Sequence, residues 1–440
     1  MKMKKIASLL LTVSLLASTC LLAQNNPHVL IKNITIIHVD NGTAQKNMSV
    51  YISDGLIQQI EQDASKIKFN ANDVVVDGTN KYLMPGYFDA HAHMPTQSSP
   101  FSYKTYFLAN LVNGVTSLRA MRDNEKNKPY SDSINKGFIV GPNLYLGQTI
   151  TEFSGYDNMA KSFDNYKTKG YVFVKYLWGL TKPQLDSIAF ILKQKNIPLV
   201  GHAHDGDIAQ AIKLNYRSIE HAKPFIELYK KDSLQLNTLI PLLAKNNTYV
   251  TPGMHWYYYS WDQIENSTLY NLPELAYTPK FLKDYWIKSR QQYDSSFIQA
   301  KHEQYLKEKE EFRKDLAQFD VILKHMEKAQ VKFLIGSDEQ KFTVPGFTYH
   351  REIAHFAHAK IANATILKAA TLNAAECLQV ADKTGTVAKG KQADLVLLNS
   401  NPLTNVENLK DINAVIKSGN YYKIAMLKEL LDKSLASDNK

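Results

Sequence analysis

Apolar and polar positions follow two textures along this chain. Near both ends they keep the two-residue period of strands. Between the ends, short apolar runs alternate with longer segments of helical period. The stretch from His28 to Ile37 is rich in β-branched residues and stops at Asp40-Asn41-Gly42. Ser53-Asp54-Gly55 marks a hairpin between Val50-Tyr51-Ile52 and Leu56-Ile57. Residues 72–77 predict a further strand. The same texture returns in Gly385-Thr386-Val387, in residues 393–398 and in Ala414-Val415-Ile416. Two such segments, residues 24–84 and 384–425, can pair into one small sheet domain, with the middle of the chain inserted between them.

The middle, residues 85–383, alternates strand-like and helical runs, the pattern of a parallel α/β sheet. Eight strand candidates occur, at residues 87–91, 115–120, 143–146, 172–176, 199–202, 218–221, 249–251 and 332–336. Eight such repeats predict a (β/α)8 TIM barrel. Between the seventh and eighth lies an insert, residues 262–330, rich in Lys, Glu, Gln and Tyr. In it Tyr305, Phe312, Leu316, Phe319, Leu323 and Met326 recur at helical spacing. The pattern fits a helical hairpin packed on the barrel, or alternatively a lid over the strand ends.

The first residues stand apart from this pattern. Lys2, Lys4 and Lys5 precede an apolar run from Ile6 to Leu16, and Ala23 offers a cleavage position, so residues 1–23 read as a secretory signal peptide. The expected location is periplasmic or secreted, the alternative being a lipid anchor at Cys20. Cys377 is the other of two cysteines, so an exported mature chain has no internal disulfide. No later run is apolar enough to span a membrane.

Composition changes the picture little. The 440 residues are 44% apolar and 21% charged, ordinary for a globular enzyme. The net charge of +10 is dispersed, without a compact basic stripe, which argues against a nucleic-acid partner. The expected partner is a small-molecule substrate, and a homo-oligomer stays open.

Chemistry gathers at the strand ends. His91 and His93, two apart on a strand, point to one side and can give two nitrogens to one cation. Lys175 ends the apolar run Val172-Phe173-Val174. Alone, it reads better as a snorkelling structural lysine. Beside other ligands it reads as an amine that reacts with carbon dioxide to a carbamate, an anion able to bridge two metals. His202 and His221 end neighbouring strands with room for one helix between. Asp338 follows the apolar run Phe333-Leu334-Ile335, where it can bind a cation and accept a proton; its plain alternative is a helix cap. The ligand set is thus His91, His93, Lys175, His202, His221 and Asp338, with Asp338, Lys175 and His221 the candidate catalytic groups. It would hold two divalent ions, zinc best suited to so many imidazoles. Substrate contacts are expected from His204, from His255 and Tyr257 in the run His255-Trp256-Tyr257-Tyr258-Tyr259-Ser260-Trp261, and from Arg351. Loop, packing and surface roles are the respective alternatives.

Longer motifs surround these residues: Pro85-Gly86, Asp89-Ala90-His91-Ala92-His93, Gly114-Val115-Thr116-Ser117-Leu118-Arg119, Val174-Lys175-Tyr176, Gly201-His202, Ser218-Ile219-Glu220-His221 and Gly336-Ser337-Asp338. Near the C-terminus come Ala370-Thr371-Leu372-Asn373-Ala374-Ala375-Glu376, Gly385-Thr386-Val387, Gly390-Lys391-Gln392-Ala393-Asp394-Leu395-Val396 and Asn401-Pro402-Leu403. In these the chain resembles the amidohydrolase superfamily, and within it the imidazolonepropionase-like branch near the prolidase-like and Xaa-Arg dipeptidases. Ser337, Glu339 and Arg119-Ala120-Met121 depart from the usual pattern without removing a ligand. The resemblance implies a composite β-sandwich built from both termini, residues 24–84 and 384–425, and a metal-dependent barrel. It also implies hydrolysis of an amide bond in a small peptide or N-acyl amino acid by a metal-bound hydroxide. Lactone or ester hydrolysis on the same site is the alternative reaction, and a noncatalytic binding protein the alternative of another class.

Overall fold

The computed structural model describes residues 28–95, 101–123, 125–255, 257 and 267–440. Residues 1–27, with the expected signal peptide and Cys20, most of the aromatic run after His255, and residues 262–266 of the insert lie outside them. No helix among the described residues is long and apolar enough to cross a membrane.

Two sheets make up the chain. The first uses β1 (Val29–His38), β2 (Thr43–Ser53), β3 (Leu56–Glu61), β4 (Val74–Asp77) and β5 (Tyr82–Pro85) from the N-terminal part. The second uses β6 (Tyr87–Ala92), β7 (Val115–Asp123), β8 (Asn143–Ile150), β9 (Tyr171–Tyr176), β10 (Leu199–Gly201), β11 (Ser218–Glu220) and β12 (Tyr249–Thr251). The C-terminal β13 (Leu395–Leu398), β14 (Ile412–Lys417) and β15 (Asn420–Lys423) return to the first sheet. Its order is β15-β14-β13-β5-β1-β2-β3, with β4 beside β1.

The pairing therefore does join the two ends of the chain in a sheet, without establishing the expected two-layer sandwich. It makes one eight-stranded sheet whose far edge curls back. Ile57 of β3 exchanges backbone bonds with Lys391 and Gly390, each 2.8 Å, just before β13 begins. One face encloses Ile31, Ile36, Val50, Ile57, Leu395 and Ile416 in a core of its own. Met84, Val396, Leu398 and Val415, pointing the other way, join the large core shared with the barrel. At the Ser53–Leu56 turn both Asp54 (φ 53°) and Gly55 (φ 76°) are left-handed, the geometry a two-residue hairpin needs.

The second sheet is entirely parallel, in the order β12 to β6, and nearly closes into a barrel. The expected eighth strand, residues 332–336, is reduced to a single bridge between Val250 and Phe333. It still closes the ring: Leu334 N bonds to Val250 O at 2.9 Å, and Ala90 N to Ile335 O at 2.7 Å. Beyond that point the Asp89 carboxylate captures the ladder groups, taking Ser337 N at 3.0 Å and the Ser337 hydroxyl. Gly336 is required there, because a Cβ would stand 2.5 Å from that of His91.

Helices cover the barrel. The insert forms helices Lys280–Tyr293 and His302–Lys328, joined by a π turn. Leu316, Phe319, Leu323 and Met326 are buried on the long helix, as their spacing predicts. It packs on the barrel helix Lys223–Lys245, with the Phe319 and Phe225 rings 6.5 Å apart and Lys230 paired to Asp315. This placement favours the packed hairpin over the lid.

Candidate metal centre

The C-terminal ends of the parallel strands carry the chemistry, as barrel geometry dictates. His91 sits on β6 and His93 one residue past its end. Lys175 is on β9, His202 follows β10, His221 follows β11, and Asp338 follows the bridge segment. All six line one cavity of about 430 Å³, together with His204 and Tyr257.

Three of the histidines converge on Asp338, and His202 and Lys175 adjoin them. Its Oδ1 stands 3.3 Å from His93 Nε2 and 3.6 Å from His91 Nε2, and its Oδ2 stands 3.5 Å from His221 Nδ1. His202 Nε2 lies 3.1 Å from His221 Nε2. Lys175 Nζ, 1% exposed as a residue, lies 3.2 Å from His91 Nε2. Two ligand atoms each about 2.1 Å from a tetrahedral ion stand roughly 3.4 Å apart, so these separations match atoms sharing a cation.

Outer hydrogen bonds set which ring nitrogens are free. His91 Nδ1 donates to Glu220 Oε2 at 2.9 Å, and Glu220 Oε1 takes Arg119 Nη2 at 2.8 Å. Arg119, buried in the barrel, also holds Ser218 Oγ at 2.8 Å and Thr251 Oγ1 at 3.2 Å. His93 Nδ1 faces the Glu339 carbonyl at 3.3 Å. Both imidazoles thus turn Nε2 lone pairs inward. His93 Nε2 is buried without a hydrogen-bond partner, the orphan that a bound cation would satisfy.

The backbone is bent to this purpose. His221 adopts φ 72° and Asp338 φ 45°, left-handed conformations that cost energy in non-glycine residues and gather at functional sites. Gly201 has φ 138° and would place a Cβ 2.1 Å from Tyr176 O, which explains the Gly201-His202 pair.

Burial keeps the histidine ligands neutral. It pushes His91 well below the usual imidazole range, His93 and His221 to about 4 and His202 to about 2. Burial also lowers Lys175 to about 8, against the opposing pull of Glu220 and Asp338. At neutral pH the four histidines therefore offer lone pairs rather than protons. Their chemistry fits divalent cations.

Glu220 and Arg119 were legible only as parts of motifs. The available signal was a carboxylate inside the buried run Ser218-Ile219-Glu220. Glu220→Gln is expected to weaken metal binding roughly 10–100-fold by loosening His91. Competition against a chromogenic chelator reads this directly, and an unchanged affinity would contradict the orienting role.

Two expected substrate contacts lie elsewhere. His255 and Arg351 line a different cavity of about 570 Å³. The buried Glu352 carboxylate draws the chain after β12 aside, taking Met254 N at 3.0 Å and His255 N at 2.7 Å. The His255 ring then stacks on His355 with centroids 5.6 Å apart. Arg351 is committed to Glu274.

This second cavity predicts a pH effect. Withdrawal from water holds His255 far below its usual range, His355 at about 3 and His350 at about 4. A histidine whose folded pKa lies below its unfolded ~6.5 contributes stability that is complete above ~6.5 and lost as pH falls toward the folded value. Glu352, raised by burial to about 8, opposes this, since its proton favours the folded chain between its unfolded and folded values. Together with the four histidines of the metal centre, lowered in the same way, these three histidines outnumber Glu352 and the other raised acids, Asp89 and Glu339, so the urea midpoint is expected to fall between pH 7 and pH 5. A flat or rising midpoint would refute it.

Residues 82–421 match the family model of the Amidohydrolase family. The chain belongs to that family. It is a hydrolase built on the family's barrel, and divalent metals are general among such enzymes. Solved structures agree on the fold of this amidohydrolase. Bottromycin amidohydrolase superposes with a TM-score of 0.72 at 19% identity, covering 93% of this chain and 90% of its own. A Xaa-Pro dipeptidase with methionine bound in its active site gives 0.67 at 17% identity, covering 90% and 100%. A prolidase complexed with N-methylphosphonate-L-proline gives 0.63 at 18% identity, covering 90% and 99%. No curated protein matches the sequence.

Proposed function

We propose that this amidohydrolase cleaves an amide bond in a small peptide or N-acyl amino acid. In this reading His91, His93, Lys175, His202, His221 and Asp338 hold two divalent ions, zinc being best suited to the nitrogen-rich set. The observation that carries it is the convergence of neutral, water-shielded imidazoles on one carboxylate, with the His93 Nε2 lone pair unspent. The structures described as a Xaa-Pro dipeptidase, a prolidase and an amidohydrolase support amide cleavage.

When bound, the ions supply Lewis acidity, polarising the scissile carbonyl and making water acidic enough to attack near neutral pH. The chain's own residues move the proton. Asp338 accepts it at a carboxylate oxygen as the carbon–oxygen bond forms, then returns it to the amine nitrogen as the carbon–nitrogen bond breaks. Glu220 keeps His91 in the tautomer that leaves Nε2 bare. Lys175, reacting as a neutral amine with carbon dioxide, forms an Nζ–C bond and loses a proton, giving an anion suited to bridging. Gln340, with Nε2 3.5 Å from Asp338 Oδ1, steadies the carboxylate.

The test is turnover of a panel of dipeptides, N-acyl amino acids and lactones by zinc- and manganese-loaded protein. Amide cleavage with two metal equivalents is the expected result. Turnover confined to lactones or esters would move the reading to that class. Metal binding without any turnover would leave a binding protein.

A further inference from the structure

We propose that Arg122 anchors a free carboxylate on the amine side of the scissile bond, making the substrate an N-acyl or N-aminoacyl amino acid with an unblocked acid group. This rests on the hydrolase reading above and narrows its substrate class.

β7 carries two arginines three residues apart, Arg119 in its middle and Arg122 near its end, and their surroundings differ completely. Arg119 is buried, and its guanidinium is spent on Ala90 O, Ser218, Glu220 and Thr251. Arg122 is exposed and lines the cavity that holds the six candidate ligands. It lies near enough to His93 and Lys175 for its charge to disfavour their protonation.

The acids of that cavity are committed elsewhere. Glu220 serves Arg119 and His91. Asp338 faces His91, His93 and His221. Glu227 stands 3.6 Å from Lys223. Among the described residues, no carboxylate lies within ion-pair distance of Arg122. An unpaired arginine on an open surface would be unremarkable, since water serves it well. This one faces a cavity beside reactive groups, and its planar fork matches a carboxylate through two parallel hydrogen bonds.

The rest of the lining completes the specificity. Trp178, 49% exposed, and Leu177 present apolar surface in the same cavity. A substrate held by its acid group could lay an apolar side chain there. Recognition then has one charged point and one greasy one, which is enough to orient a small amino-acid derivative with its amide toward Asp338.

The experiment compares N-acetyl-phenylalanine and dipeptides with their C-terminal amides, on metal-loaded wild type, Arg122→Met and Arg122→Lys. The wild type is expected to favour the free acids. In Arg122→Met the ratio of kcat/KM for acid over amide should fall on the order of tenfold or more, through KM rather than kcat, with partial recovery in Arg122→Lys. An unchanged ratio in Arg122→Met would overturn the anchor. Failure of the amide reading looks different: esters are then cleaved and amides are not, and the ratio is read on a carboxylate-bearing ester and its neutral analogue. If nothing is turned over, calorimetric affinities for N-acetyl-phenylalanine and its amide decide. A preference for the acid that disappears in Arg122→Met supports the anchor, and equal affinities overturn it.

Discussion

Replacing Asp338 by Asn is expected to lower kcat by ~10²–10⁴, the range attributed to a positioned proton carrier. The substitution preserves shape. It also keeps the backbone bond from residue 338 N to His91 O, 2.8 Å long, that fixes the turn. What it removes is one oxygen able to take and return a proton, at the point on which His91, His93 and His221 converge. Metal content must be measured on the same sample. Full occupancy with the large kcat loss isolates proton transfer, whereas lost metal assigns the effect to coordination. A kcat close to the wild type's would refute both roles.

Lys175→Ala should cost turnover roughly hundredfold or more, since even an outer partner of a metal ligand is worth roughly 10–100-fold. The reasoning starts from burial. An ammonium enclosed at this site is expensive, and burial brings Lys175 to about 8, where the nucleophilic amine is accessible near neutral pH. The variant is expected to bind less metal and to regain part of its activity with short carboxylic acids, which can occupy the bridging place. Labelled bicarbonate should give the wild type a carbamate carbon resonance that Lys175→Ala lacks. Undiminished turnover by the variant without added acids would end the proposal of a modified lysine.

Much of this site could be read from the chain because strands impose simple rules. The two-residue period puts His91 and His93 on the same side of β6. Apolar runs ending in Lys175, His202, His221 and Asp338 mark the rim toward which parallel strands point, and the structure brings all of them to one cavity. What escaped depended on partners distant in sequence. Arg351 resembles a carboxylate clamp until Glu274, 77 positions away, neutralises it. His255 follows the seventh strand as a pocket wall should, but Glu352 draws its backbone aside. The eighth strand is apolar enough to pair, yet the Asp89 side chain claims the amide of Ser337. The alternation that predicted strands at both termini carried no information on whether they stack as two layers or join edge to edge.

That edge-to-edge joining has a consequence for how the chain acquires its form. β5 is bonded to β13 on one side and β1 on the other. A nascent polypeptide must therefore release more than three hundred residues after β5 before that strand meets its later neighbour. Until then β5 presents a row of open amide and carbonyl groups, a template for pairing with foreign strands. Such long sequence separation also slows productive assembly. Truncations that stop before residue 395 should be insoluble even though they retain every residue of the metal centre.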